Sequence, residues 1–206
     1  MIKYEEITIP EELYFYMVNF KYGYLTKSGK IISEKNAICN EFWYNNYILQ
    51  DTDDLIKTQT GNCFDQTEFA RTWLKNNNYI VKTFHERVND YPSLSHSFLI
   101  YKDFRYDNTY SWFETTWKDY EGIHSENTIE KLLERNYKVY ERELQYKGVC
   151  TKKNISLIEF SAPKNHSTVK DYMDNLKKGK ILTKKIGEQY GSRKNWKNYK
   201  EGSNRQ

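Results

Sequence analysis

The sequence of 206 residues contains only three cysteines, three prolines and nine glycines. Cys39, Cys63 and Cys150 are widely spaced and form no C-x-x-C pair, so the sequence indicates neither a disulfide framework nor a structural zinc site. So little proline and glycine excludes collagen-like and linker-like chains. No apolar run approaches the roughly 20 residues of a membrane helix, and we expect no membrane partner.

The first twenty residues carry four glutamates and lack the apolar stretch of a signal peptide, which favours the cytoplasm. Aromatic residues are abundant, with 19 Tyr, 10 Phe and 5 Trp, and they predict an aromatic-rich core.

Residues 177–206 carry a formal charge of +8 and the rest of the chain −4. We therefore predict one domain over 1–177, with its core at 55–162, and a basic, mobile tail over 178–206. The tail suggests nucleic acid or another polyanion as a partner.

Hydrophobic periodicity predicts a helix after Pro10 and a second helical segment over Glu34 to Leu49. The run from Asp51 to Asn62 is polar and rich in turn residues. The strongest helix signal begins at Cys63, because Asn62 is a good N-cap and Asp65 stands at the N3 position. Small residues along one stripe of this helix would let it pack closely against a sheet.

Residues 79–84 are predicted as a strand and 85–95 as a polar loop. Two runs of aromatic and β-branched residues follow, and they predict a hairpin whose turn lies between Lys102 and Asn108. A helix from Ile129, a strand from Asn154 and a short helix over 168–176 complete the pattern. The predicted fold class is α+β, with an antiparallel sheet.

Cys63 is the candidate nucleophile because it is the first residue of its helix and follows a Gly-Asn turn. Unpaired backbone amides and the helix dipole at such a position stabilise a thiolate. The same amides point to where negative charge would develop on an attacked acyl group. The alternative is that Cys63 is a small core residue, as isolated cysteines often are.

His96 opens the first strand of the predicted hairpin. A turn centred near Arg105 would place Glu114 directly opposite His96, about 5 Å away between Cβ atoms. A carboxylate there could orient the imidazole and stabilise its charged form. Asp107 is the alternative acid, but in this register it lies near the turn, roughly 23 Å along the strand from His96. A register slip of one residue would turn Glu114 to the other face.

The segments G-N-C-F-D, H-S-F-L-I-Y and W-F-E-T-T-W together resemble the transglutaminase-like superfamily, whose core is related to papain-like cysteine proteases. The resemblance covers roughly residues 55–118 and is strongest to a small bacterial branch. It implies that Cys63 is the nucleophile, His96 the base and Glu114 the orienting acid. The sequence departs from the family pattern in having Glu for the usual Asp and in lacking the Pro that follows.

The resemblance further implies a papain-like or transglutaminase-like core, with N-terminal helices and the nucleophile helix packed on the sheet. The implied reaction is acyl transfer on a protein or peptide amide through a thioester, which passes to water or to an amine. It requires no metal and no organic cofactor. Gln59 is a candidate side-chain donor to the oxyanion, and Asn62 and Trp112 are candidates to line or support the site.

A catalytically inactive binding module with the same fold is the competing hypothesis; it would use an aromatic cleft or the basic tail. His85, His124 and His166 are expected at the surface or in supporting positions. The acidic run that begins at Asp51 lacks the glycine and the closing glutamate of a calcium loop, so we expect no calcium site there.

Overall fold

The architecture is α+β, with helices on both faces of an antiparallel sheet. A computed structural model describes residues 3–33, 41–88, 91–105, 109–117, 120–146 and 155–182, without the side chains of 91–94 and 146. Its helices are α1 (Pro10–Met17), α2 (Glu41–Asn46), α3 (Thr52–Thr58), α4 (Cys63–Asn76), α5 (Ile129–Tyr146) and α6 (Val169–Leu176). Its strands are β1 (Tyr24–Thr26), β2 (Ile31–Ile32), β3 (Tyr47–Ile48), β4 (Ile80–Val88), β5 (Tyr91–Asp103), β6 (Thr109–Glu114), β7 (Gly122–Glu126), β8 (Ile155–Phe160) and β9 (Lys180–Ile181).

Six strands form the main sheet, in the order β7-β6-β5-β4-β8-β9, and each neighbouring pair is antiparallel. Strands β4 and β5 are the longest and lie at its centre. A smaller sheet of order β2-β1-β3 lies in the N-terminal part of the chain.

Alternate residues of the central strands pack against different helices, because successive side chains of a strand point to opposite faces. Leu99 of β5 and Phe113 of β6 share a buried cluster with Leu74 of α4. Phe98 of β5 shares another cluster with Leu132 of α5. Helices α4 and α5 therefore cover opposite faces of the sheet.

Helix α4 lies close to β5, as its stripe of small residues predicted. The Thr67 hydroxyl donates to the carbonyl oxygen of Ser97 at 2.9 Å, which ties the middle of α4 to the strand that carries His96. Ala70, one turn further on, is buried in the same interface. This contact fixes the height of the α4 N-terminus relative to β5.

The helices that begin at Pro10, Cys63 and Val169 lie where the sequence predicted them. The predicted loop over 85–95 is wrong, because β4 continues to Val88 and β5 begins at Tyr91. The polar run after Asp51 forms α3, capped by the Asp51 side chain, which accepts from the amide of Asp54. Of the predicted helix over Glu34 to Leu49, residues 34–40 lie outside the described ranges, 41–46 are helical and 47–48 form β3.

The predicted tail begins at residue 178, but its first residues belong to the sheet. Lys180 and Ile181 form β9, which pairs with Glu159 and Ile158 of β8. Residues 183–206, which hold most of the basic charge, lie outside the described ranges. Within the described part of the chain, no helix is long and apolar enough to cross a membrane.

Leu74→Ala should destabilise the protein by about 2–5 kcal/mol, because Leu74 is fully buried between α4 and the sheet and its loss leaves a cavity. The matched control is Ile80→Ala at an exposed position of β4, which should change stability by only about 0.5 kcal/mol. Urea denaturation measures both. Equal losses in the two variants would contradict the described packing of α4.

Candidate active site

The start of α4 is held by reciprocal hydrogen bonds between Asn62 and Asp65. The Asn62 side-chain oxygen accepts from the amides of Phe64 at 2.8 Å and Asp65 at 3.3 Å, and the Asp65 carboxylate accepts from the Asn62 amide at 3.0 Å. This is the capping box that the sequence predicted. The amide of Cys63 takes no part in these capping bonds. It lies at the point where the cysteine side chain emerges.

Gly61 is required immediately before this cap because the chain passes too close to its neighbours for a side chain. A Cβ atom at this position would lie 2.8 Å from a methyl carbon of Leu55 and 2.9 Å from Cβ of Asp65. The Gly61 carbonyl also accepts from the Gln66 side chain at 3.0 Å. The glycine thus lets α3 pack directly under the turn that leads to Cys63.

Asp65 ties the same turn to the strand that precedes it. Its carboxylate accepts from the Tyr47 hydroxyl and from the Gln50 amide, each at 3.0 Å, in addition to the Asn62 amide. Burial raises the pKa of Asp65 to about 7, although these three donors oppose the rise. The position of Cys63 therefore depends on a buried network as well as on its own helix.

His96 and Glu114 are bonded directly, with Nε2 of the imidazole 2.8 Å from a carboxylate oxygen. Both side chains are buried, His96 at 4% exposure and Glu114 at 2%. The predicted register is wrong by two residues, because Ile100 pairs with Trp112, where the prediction paired it with Tyr110. A shift of two preserves the face of every side chain, so Glu114 still reaches His96 from a diagonal position.

Several donors hold the Glu114 carboxylate in its ionised form. The oxygen that does not face His96 accepts from the amides of Thr116 at 2.8 Å and Trp117 at 3.0 Å, and from the Thr116 hydroxyl at 2.9 Å. Burial would raise the pKa of Glu114, but the His96 charge and these hydrogen bonds outweigh it and lower that pKa. Glu114 therefore faces His96 as a carboxylate.

The pKa of His96 shifts in the opposite direction. Burial alone would lower it, but the Glu114 charge and the hydrogen bonds to Cys63 and Glu114 outweigh burial and raise it well above 6.5. Because Nε2 faces Glu114, Nδ1 is the ring nitrogen left for the Cys63 sulfur. Cys63 is a free cysteine at 7% exposure. The three predicted residues therefore meet in the order Cys63, His96, Glu114.

Aromatic rings fix the plane of the His96 imidazole. Trp117 stacks on it with a centroid distance of 4.2 Å and an interplanar angle of 10°, and Phe98 stacks at 6.1 Å. Trp112 is fully buried and packs edge to face against Phe98 at 6.0 Å. Trp112 therefore packs against Phe98, which in turn stacks on His96. Because Trp112 is fully buried, it does not line an open groove.

Gln59 does not lie where the oxyanion prediction placed it. It ends α3 in the left-handed conformation, with φ of 45°, and its exposed side chain lies close enough to Tyr16 to oppose the rise in the pKa of that phenol. That contact directs the amide toward α1. Asn62 keeps its predicted place beside Cys63, and its side-chain nitrogen is buried without a partner among the described residues.

Other sequence predictions fall outside the site or outside the described residues. Asp107, Cys39 and Cys150 belong to the segments that the structure does not describe. His166 is exposed, as expected, and its Nε2 lies 3.0 Å from Asp54 beside the cap of α3. Acidic residues of the run after Asp51 thus cap a helix and pair with a histidine.

His85 and Glu86 are two residues near the site that the sequence did not assign to it. His85 is fully buried on the α4 face, bonded through Nδ1 to the Ser97 hydroxyl at 2.9 Å, and burial lowers its pKa to about 3. Glu86 is equally buried and pairs with His96 across β4 and β5. Both residues were assigned to the loop wrongly predicted over 85–95. The alternation of side chains along a strand would have been the signal that places them in β4.

Comparison of the chain with protein-family models, with curated proteins and with solved structures found no match.

Glu114→Gln should destabilise the protein by about 1–3 kcal/mol, because it removes the charge that His96 faces. His96 has a raised pKa, so its contribution is complete below pH 6.5 and is lost as the pH rises through its folded-state value. Glu114 has a lowered pKa, so its contribution is complete above pH 4.5 and is lost as the pH falls. The difference between wild type and variant in denaturant unfolding should therefore be largest between pH 4.5 and 6.5. A difference that does not vary with pH would contradict the ion pair.

Asn62→Ala should cost about 1 kcal/mol through the lost helix cap and should also slow alkylation of Cys63. Thr168→Ala is the matched control, because Thr168 caps α6 with the same reciprocal pattern. It should cost a similar free energy and leave Cys63 alkylation unchanged. Iodoacetamide kinetics with peptide mapping measure the rate, and equal slowing in both variants would exclude a specific role for the α4 cap.

Proposed function

We propose that this protein is a cysteine-dependent enzyme that transfers acyl groups from amide substrates, with a transglutaminase-like or papain-like core. The observation that carries the proposal is the buried His96, which is bonded to the Glu114 carboxylate and lies close enough to Cys63 for the cysteine to help raise the pKa of the imidazole. A charged imidazole next to a cysteine at a helix N-terminus is the environment that activates a thiol. The α+β architecture, with the cysteine helix against an antiparallel sheet, is compatible with that fold family.

In the proposed mechanism, the thiol proton of Cys63 already resides on the charged imidazole of His96, and the thiolate attacks the amide carbonyl carbon. The carbonyl oxygen becomes negatively charged and faces the amide of Cys63, which takes no part in the cap of α4, and the side-chain nitrogen of Asn62, which has no partner among the described residues. The C–N bond then breaks, and His96 returns the proton to the leaving amine. This leaves a thioester on Cys63, which water or a second amine resolves.

The departure from the family pattern, Glu in place of Asp at residue 114, is compatible with this mechanism. Glu114 lies diagonally from His96, and the longer side chain spans the extra separation to reach a 2.8 Å contact. The amides of Thr116 and Trp117 fix its second oxygen. Glu114 can therefore orient the imidazole as an aspartate would from a nearer position.

The binding-module hypothesis rests mainly on the basic tail, and residues 183–206 lie outside the described ranges. It predicts that removing those residues abolishes binding to a polyanion. It also predicts that Cys63 reacts no faster than an ordinary buried thiol. Contact with nucleic acid or another polyanion through this tail is compatible with the enzymatic proposal and stays a prediction.

His96→Ala should slow alkylation of Cys63 at pH 7 by about 10²-fold or more, because the thiol loses the base that takes its proton. The measurement is iodoacetamide labelling of the full chain, with the labelled cysteine identified by peptide mapping. Cys39 and Cys150 serve as internal references.

The matched control is His166→Ala, which removes an exposed histidine from the cap of α3 and should leave the labelling rate unchanged. A wild-type Cys63 that reacts no faster than the two reference cysteines would contradict the proposal. So would a His96→Ala variant with the wild-type rate.

A further inference from the structure

Two carboxyl groups flank His96, one on each neighbouring strand. Glu114 reaches it from β6, and Glu86 stands directly opposite it on β4 in the antiparallel register. The adjacent pair of the same register, Phe84 and Phe98, stacks at 5.4 Å on the face covered by α5. Because residues two apart on a strand share a face, Glu86 lies beside His96 on that face.

The two carboxyl groups have opposite surroundings. Glu114 accepts hydrogen bonds from two amides and a hydroxyl and also faces the imidazole. Glu86 has 0% exposure, and neither of its oxygens has a partner among the described residues. An ionised carboxylate without donors or solvent is strongly disfavoured, whereas a neutral carboxylic acid is tolerated.

The ionisable groups that act electrostatically on Glu86 come from four elements. They are His96 on β5, Glu114 on β6, Cys63 at the start of α4, and the phenols of Tyr137 and Tyr140 on α5. On β8 its neighbour in register is the apolar Leu157. Burial raises the pKa of Glu86 well above its ordinary value; Glu114 and Cys63 add to the rise, and only the His96 charge opposes it.

We propose that Glu86 is a neutral hydrogen-bond donor of the acyl site, directed at the negative charge that forms when Cys63 attacks a carbonyl group. The inference rests on the proposed function and adds a third ionisable group to it. When two carboxyl groups in one site have environments that separate their protonation states, they take different roles. Glu114 orients the histidine as an anion, and Glu86 offers an O–H as an acid.

This role explains why a carboxyl group stands at residue 86, where an apolar side chain would make the protein more stable. A buried polar group without a partner lowers stability, and replacing it with a side chain of similar volume removes that cost. A hydrogen bond that is made only in the transition state accelerates the reaction and gives the free protein nothing. A residue that lowers the stability of the free protein but raises the rate of the reaction has a functional role.

The experiment compares two reactions of Cys63 in the full chain with Cys39→Ser and Cys150→Ser. Iodoacetamide alkylates the thiolate without forming an oxyanion, whereas p-nitrophenyl acetate acylates it through one. In the acylation, the S–C bond forms, the bond from carbon to the aryl oxygen breaks, p-nitrophenolate leaves and the thiol proton remains on His96. The variants are Glu86→Leu, which removes the donor, and Glu86→Gln, which keeps one.

Glu86→Leu should slow acylation by about 10²-fold or more, as removal of an oxyanion donor does elsewhere. Its alkylation rate should stay at the wild-type value, and its Tm should rise by about 2–4 °C or more. Glu86→Gln should keep most of the acylation rate. Asn136→Leu is the control, because Asn136 on α5 is also buried without a partner among the described residues; it should leave both rates unchanged.

Unchanged acylation in Glu86→Leu would overturn the inference and leave the proposed function intact. Equal slowing of both reactions would also overturn it, since Glu86 would then act through the position of Cys63 and His96. A lower Tm in Glu86→Leu would show that Glu86 stabilises the fold, and this too would overturn the inference. If the wild type is not acylated at Cys63, both this inference and the proposed function are wrong.

Discussion

The buried contact between His96 and Glu114 is the interaction on which the rest of the site depends. Neither group would be charged at this depth alone, because burial raises the pKa of a carboxyl group and lowers that of an imidazole. Together they reverse both pKa shifts. The amides of Thr116 and Trp117 donate hydrogen bonds to the second oxygen of the carboxylate. The charged imidazole then has one nitrogen free for Cys63, and stacking by Trp117 holds its plane.

The fold brings these groups together from three separate elements. The Thr67 hydroxyl fixes α4 against β5, and the close approach at Gly61 fixes the turn before Cys63. The sheet places Glu114 and Glu86 on either side of His96, in environments that favour opposite protonation states. Under the proposed mechanism, this buried arrangement would provide fixed dipoles for a reaction that develops charge.

Local features of the site could be predicted from the sequence. The cap at Asn62 and Asp65 depends on residues three apart, so the pattern indicated both the helix and the position of Cys63. Side chains of a strand alternate between the two faces of the sheet with a period of two. The two-residue error in register therefore left the predicted face of Glu114 unchanged. Gln59 could not be placed, because its left-handed conformation and its contact with Tyr16 depend on tertiary packing. Glu86 was missed because polar residues are unusual in a central strand. Such departures from the usual pattern are common at functional sites.

The most direct test of the account is the titration of His96 followed by NMR of its ring carbon-bound protons. The account predicts that His96 in the wild type titrates well above 6.5, and that Glu114→Gln and Cys63→Ala each shift the titration to lower pH. A wild-type His96 that titrates at or below 6.5 would contradict the central claim, because burial would then outweigh its two partners.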